Sequence, residues 1–201
     1  DNLKDELWLV AGGVFGGSLY FFTENTALGI TQASNVAFII CTAPLLTTIL
    51  SLLFYKSEKA TKGLVYGSLL ALIGVGLVVF NGSVVLKLSP VGDLLTLLAA
   101  LSWAFYSLVI KRMTGRYPTV FITRKIFFYG LFTILPAFLV PPWQFDITRL
   151  LEPAILFNLL FLGVLASLIC FVVWNVVLKQ LGTIRASNYI YLNPLFTLIG
   201  S

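Results

Sequence analysis

With 201 residues, 59% of them hydrophobic and only 10% charged, and a mean hydropathy of +0.98, the chain has too few polar side chains to coat a globule in water. The net charge of +5 comes from 13 Lys and Arg placed in short gaps between apolar runs, so no continuous basic face is offered to nucleic acid. There is no histidine, which excludes His-dependent metal sites, triads and proton relays, and no Walker-type glycine loop or other cofactor motif is present, so neither metal nor cofactor is expected.

A helix needs about 20 apolar residues to cross the hydrocarbon of a bilayer. Seven runs meet that length: 7–29, 33–55, 63–82, 91–111, 120–141, 154–178 and 184–201. None alternates with period two, so the expected fold is all-α, a polytopic transmembrane helical bundle, not a β-barrel. If successive helices alternate in direction, one side collects Lys4, Lys56, Lys59, Lys62, Lys111, Arg112, Arg116, Arg124, Lys125, Lys179 and Arg185. The other side holds Lys87 and Arg149. That asymmetry places loops 56–62, 111–125 and 179–185 in the cytoplasm of a multi-pass protein of the inner (plasma) membrane. Cys41 and Cys170 both fall inside apolar runs, where buried, inert thiols are expected.

The chain also resembles itself at an offset of 150 residues. Gly13-Val14 meets Gly163-Val164, Phe21 meets Phe171, Asn25 meets Asn175, and Pro44-Leu45 meets Pro194-Leu195. An odd number of helices separates the two copies, so they run in opposite senses, the inverted-topology repeat of secondary transporters. The expected organisation is two five-helix halves, truncated at both ends. Residues 1–82 supply the last three helices of the first half. Residues 83–201 supply the second half without the end of its fourth helix and its fifth helix.

Several motifs in order resemble a known family: Glu24-Asn25-Thr26-Ala27-Leu28, Ala33-Ser34-Asn35, Ala43-Pro44-Leu45 and Ser57-Glu58, then Gly92-Asp93-Leu94-Leu95, Ser102-Trp103-Ala104-Phe105-Tyr106 and Asn193-Pro194-Leu195-Phe196. The chain is similar to the drug/metabolite transporter superfamily, in its ten-helix EamA-type exporter branch, over about helices three to nine. One departure is Ser57, where the family usually has Gly before the acidic residue. The resemblance implies alternating access around a central cavity. It also implies a small-molecule substrate such as an amino acid, and movement out of the cell.

Candidate residues for binding or coupling follow from polar and aromatic groups deep in the runs. Glu24 is a carboxylate where a charge is costly. It reads either as a counter-ion or proton-coupling group, or as a carboxyl near the helix end bonded to a neighbour such as Tyr20 one turn away. Asn25 and Asn175 are equivalent by the repeat and read as substrate contacts or as helix-to-helix bonds. Asn35 and Thr42 lie seven apart on one face of the second helix. Trp103, Tyr106 and Trp174 are aromatics inside their runs, suited to a cavity wall. Arg124, beside Lys125, either snorkels to the surface or meets a substrate carboxylate. Pro44 and Pro194 each remove a helical hydrogen bond at repeat-equivalent positions, giving a hinge or a static kink. Small residues at Gly12/Gly16, Gly13/Gly17, Gly63/Gly67 and Gly163/Ser167 allow close helix approach.

The leading expectation is a secondary active transporter of small metabolites, with protons as a possible coupling ion and the lipid bilayer as its surroundings. A nucleotide-sugar or sugar-phosphate exchanger of the same superfamily, or a non-transporting membrane scaffold, are the alternatives. A lone deep carboxylate without base, nucleophile or metal cluster does not suggest an enzyme. Oligomeric state is open from sequence.

Overall fold

The computed structural model describes residues 2–55, 62–80, 89–139 and 147–193. Within these, seven helical rods appear, and each starts within a few residues of a run read from the sequence. The first rod joins α1 (Leu3–Gly13), a π-helical segment (Val14–Leu19) and α2 (Tyr20–Ile30). The second joins α3 (Ala33–Ile40) and α4 (Ala43–Phe54); α5 (Lys62–Phe80) and α6 (Pro90–Thr114) follow. The fifth is α7 (Thr119–Ile134) with a 3-10 turn to Leu139. The sixth is α8 (Pro153–Leu160), a second π-helical segment (Phe161–Ile169) and α9 (Cys170–Leu181). The last, α10 (Thr183–Ser187) with its 3-10 extension to Leu192, begins at Gly182, whose φ of 81° lets the chain turn back sharply after α9. Lys56, Ser57, Glu58, Lys59, Lys87 and the Pro194-Leu195-Phe196 segment lie outside the described residues.

Four rods combine membrane-crossing length with sufficient apolarity: 33–54, 90–114, 119–139 and 153–181. The first rod is long enough but is not among them, because its glycines, Thr23 and Glu24 dilute its hydropathy. The seventh is described only as far as residue 193.

α6 is the centre of the bundle. Its ends are well marked: Ser89 accepts from the Gly92 amide at 3.4 Å, Pro90 opens the helix, Asp93 sits in the first turn, and Lys111 and Arg112 in the last. Over half (56%) of its apolar stretch is buried, against 6% for the α8–α9 rod, which presents Phe157, Leu160 and Phe161 outward as a lipid-facing helix does. The main core gathers Leu9, Tyr106, Val109, Ile110, Met113, Ile122, Ile126, Leu178 and Ala186, where α1, α6, α7, α9 and α10 meet.

Glycines allow this packing. Gly13 and Gly17 lie against Gly130 of α7, and Gly16 lies against the Tyr106 ring. Gly63, Gly67 and Gly163, which the sequence also suggested as close-approach positions, have nothing among the described residues within 4 Å of the Cβ position. Their faces are open. A second correction concerns Cys170: Cys41 is buried as expected, but Cys170 is exposed, because the α8–α9 rod packs at the edge of the bundle.

The basic residues on α1, α6 and α7 converge at one end of the bundle, tied there by two ion pairs to the start of α1. Arg116 Nη1 donates to Asp5 Oδ1 at 2.7 Å, with the Tyr117 hydroxyl on Oδ2 at 3.1 Å. Lys125 Nζ donates to Glu6 Oε1 at 2.6 Å, joined on the same oxygen by the Tyr129 hydroxyl. Burial pushes the Asp5 carboxyl up, but the bonds from Arg116 and Tyr117 outweigh it and hold it below its ordinary range. The bond from Lys125, then that from Tyr129, holds the Glu6 carboxyl low as well, against a smaller burial penalty. Groups lowered on folding add stability that is complete above their unfolded values, about 4 to 4.5, and is lost as pH falls through the folded values. The melting temperature of the full-length protein in detergent should therefore be level from neutrality to about pH 5 and fall below about pH 4. Asp5→Asn with Glu6→Gln should make that acid limb shallower; an unchanged limb would mean that other carboxyls set it.

Candidate functional site

The first-rod π segment sets the geometry above the core. A π turn leaves backbone groups out of α-helical register, and within it the Phe15 carbonyl accepts from Ser102 Oγ of α6 at 2.8 Å. The next residue of the rod, Tyr20, then reaches across to Trp103, with ring centroids 5.0 Å apart. Trp103 also meets Trp174 at 5.7 Å and Phe171 at 5.6 Å, both from α9, so three rods supply one aromatic cluster.

Beside this cluster lies a cavity of about 300 Å³. Tyr20, Trp103, Phe171, Trp174 and Tyr189 wall it, with Asn193 at its edge. Ile40 and Ala43 flank the break where α3 ends and α4 begins, and they complete the wall. That break is the Pro44 kink: the Cys41 and Thr42 amides bond back three residues, to Phe38 and Ile39, and helix resumes at Ala43. No Lys or Arg lines the cavity among the described residues. The indole Nε1 atoms of Trp103 and Trp174 are shielded from solvent, the cavity included, and have no acceptor among the described residues.

Directly beneath is a buried polar triad. The Tyr106 hydroxyl donates to Asn175 Oδ1 at 2.8 Å, and Asn175 Nδ2 donates to Thr123 Oγ1 at 2.9 Å. Thr123 in turn donates to its own helix at Thr119. All three side chains are buried, so α6, α7 and α9 are fastened together at the core.

The residues singled out from sequence divide into three groups. Trp103 and Trp174 wall the cavity, and Tyr106 and Asn175, bonded to each other, lie behind that wall without lining it. Glu24 stands one turn beyond Tyr20, half-buried, and Oε1 accepts from the Tyr20 hydroxyl at 2.9 Å, so it touches the site through that ring. The remaining residues point elsewhere. Asn25 is exposed and spends its amide on the Phe21 carbonyl of its own helix. Thr42 donates to Ile39 within the turn, and Asn35 is buried in α3 without bordering the cavity. Arg124 is exposed at the basic end, over the Phe121 ring. Pro194 lies outside the described residues.

Sequence reasoning missed Phe171, Tyr189 and Thr123. Phe171 was readable as the repeat partner of Phe21, but Thr123 in an apolar run gives no sign of which helix it will face.

Known proteins provide an independent comparison. The EamA-like transporter family matches residues 1–80 and 90–201. An uncharacterized transporter of Archaeoglobus fulgidus is 28% identical over 186 residues, covering 92% of this chain and 63% of that protein. The uncharacterized transporter YyaM of Bacillus subtilis is 32% identical over 199 residues, 93% of this chain and 61% of that protein. The chain thus spans a little over three-fifths of the length of these relatives. Among solved structures, one crystal structure superposes with a TM-score of 0.69 at 22% identity, covering 96% of this chain and 67% of the other, a likeness of fold alone.

Proposed function

This chain belongs to the EamA-like transporter family of the drug/metabolite transporter superfamily, and on that premise we propose that it forms the substrate-handling part of a secondary active transporter for zwitterionic or cationic small metabolites. The observation that carries the substrate class is the cavity wall: aromatic faces, one carboxylate reached through Tyr20, and no cation among the described lining residues. Ring faces and Glu24 suit an ammonium. A sugar phosphate would need Lys or Arg at the same place, which makes the exchanger alternative the weaker one.

The basic end faces the cytoplasm in this proposal, following the charge asymmetry of the loops. The cavity is then closed on the cytoplasmic side by the triad, the core and the two ion pairs to α1, and its access lies towards the outside. The two π segments favour the inverted repeat, because Val14–Leu19 shifted by 150 residues falls within Phe161–Ile169. Pro44 is a kink at a rod break in the cavity wall, the natural place for a hinge.

Transport by the full-length protein in proteoliposomes, across a panel of labelled amino acids, amines and sugar phosphates, tests this reading. Saturable flux of an amino acid or amine is expected. Trp103→Ala should raise its half-saturation roughly tenfold, since a desolvated ring–cation contact contributes about 1–2 kcal/mol. Glu24→Gln should impair transport of cations more than of neutral zwitterions. Preference for a sugar phosphate would move the assignment to the exchanger class, and absence of flux for every solute would revive the scaffold reading.

A further inference from the structure

A second cavity, of about 400 Å³, lies nearer the basic end, between the first rod, the second rod and α6, and shares no lining residue with the transport site. Trp8 and Phe15 of the first rod, Phe54 and Tyr55 at the end of α4, and Phe105 and Arg112 of α6 line it. The space opens because the first and second rods diverge towards this end, with α6 behind them. Between Phe105 and Arg112 it follows α6 for seven residues, about 10 Å. It is apolar over that length: Phe15 and Phe105 stack at its inner end, 5.2 Å between centroids. Flanking Leu53 and Phe54 are exposed, as side chains in contact with lipid are.

The mouth has the opposite character. The Arg112 guanidinium rests 4.6 Å over the Trp8 ring, and Lys111 Nζ rests 4.3 Å over the Tyr55 ring. Tyr55 is itself anchored by its hydroxyl to the Leu108 carbonyl at 2.9 Å, so the aromatic platform is fixed. Arg112 makes no hydrogen bond or ion pair among the described residues. The nearby carboxylate of Asp5 is engaged by Arg116 and Tyr117. A slot that is apolar along its length and cationic, through the exposed Arg112, at the end where the bundle's basic residues gather has the polarity of one ligand class, an acyl chain carrying an anionic head.

We propose that this groove is a binding site for an anionic phospholipid of the adjoining leaflet, with one acyl chain along Phe105 and Phe15 and the phosphate on Arg112. A zwitterionic lipid fits the slot equally well but gains less at the mouth, because its own ammonium opposes the Arg112 guanidinium. The site is independent of what the transport cavity carries.

Bromine on an acyl chain quenches an indole it touches, and Trp8 is the indole in this wall. The full-length protein, wild type and Trp8→Phe, is reconstituted in vesicles of unlabelled phosphatidylcholine with equal mole fractions of brominated phosphatidylglycerol, brominated phosphatidylcholine or brominated fatty acid. The Trp8 component is the difference between the two proteins. Brominated phosphatidylglycerol should quench it at several-fold lower mole fraction than brominated phosphatidylcholine. Arg112→Gln should erase that preference, and Arg112→Lys, which keeps the charge, should retain much of it. Equal quenching by the two phospholipids, no quenching of Trp8 at all, or a preference that survives Arg112→Gln would overturn the proposal. Quenching by the fatty acid as strong as by phosphatidylglycerol would overturn the phospholipid assignment. Melting temperatures of the variants within a few degrees of wild type confirm that the comparison is made on folded protein.

Discussion

Gly13→Ala and Gly16→Ala should each destabilise the bundle by about 1–3 kcal/mol, lowering the melting temperature of the full-length protein in detergent by several degrees. A Cβ on Gly13 would lie 2.7 Å from Tyr129 Cβ and 2.8 Å from the Gly130 amide nitrogen, so it meets backbone, which cannot rotate away. At Gly16 it would lie 2.1 Å from Tyr106 Cδ2. A free tyrosine ring would swing aside, but this one is held by its bond to Asn175 and by rings around it. Gly163→Ala is the matched control: the site is open among the described residues, and alanine favours helix by nearly 1 kcal/mol. Its stability should hold or rise slightly. Equal effects at all three positions would show that the first rod does not pack against α6 and α7 as described.

Asn175→Leu has the second large effect. It removes both partners' bonds at once and leaves the Tyr106 hydroxyl buried without an acceptor, at a cost of about 2–3 kcal/mol. Thr123 suffers less, since its hydroxyl still donates to Thr119. Tyr106→Phe alone should cost about 1 kcal/mol. Combined, the two should cost less than their sum, because phenylalanine removes the orphaned group that leucine creates. The coupling should fall near 0.6 kcal/mol and not much above about 1.7, the range for hydrogen bonds between membrane helices. Strict additivity would mean the two side chains do not interact in the folded protein.

These two sites also show where the sequence was informative. Run length was enough for the rods, because crossing a bilayer imposes one length. Trp103 and Trp174 were legible as cavity aromatics from their depth in apolar runs. Depth says nothing about azimuth, however. Asn25 and Asn175 are equivalent in the repeat, yet one is exposed and bonded to its own helix while the other is fully buried between three rods. Facing is decided by neighbours, and Thr123 and Gly130, which create the buried environment, lie in a run whose pattern does not mark them. The paired glycines had the same weakness: the spacing is right at Gly63/Gly67, but no described helix approaches. The π segments were invisible from composition, since nothing in Val14–Leu19 departs from an ordinary apolar helix.

That first π segment makes the rod two surfaces joined out of phase. Below it, Leu9, Gly12 and Gly13 are shaped for packing; above it, Tyr20 and Glu24 are turned to the aromatic cluster. In an α-helix one residue is worth about 100° of rotation. Loss of a single residue between Val14 and Leu19 would thus act as a twist more than a shortening. It would swing Tyr20 and the carboxylate bound to it around the rod axis, while the ion pairs at Asp5 and Glu6 kept their places. Phase, in such a rod, is a heritable quantity separate from side-chain identity: lineages can re-aim the upper half by insertion or deletion without altering any residue that lines the cavity.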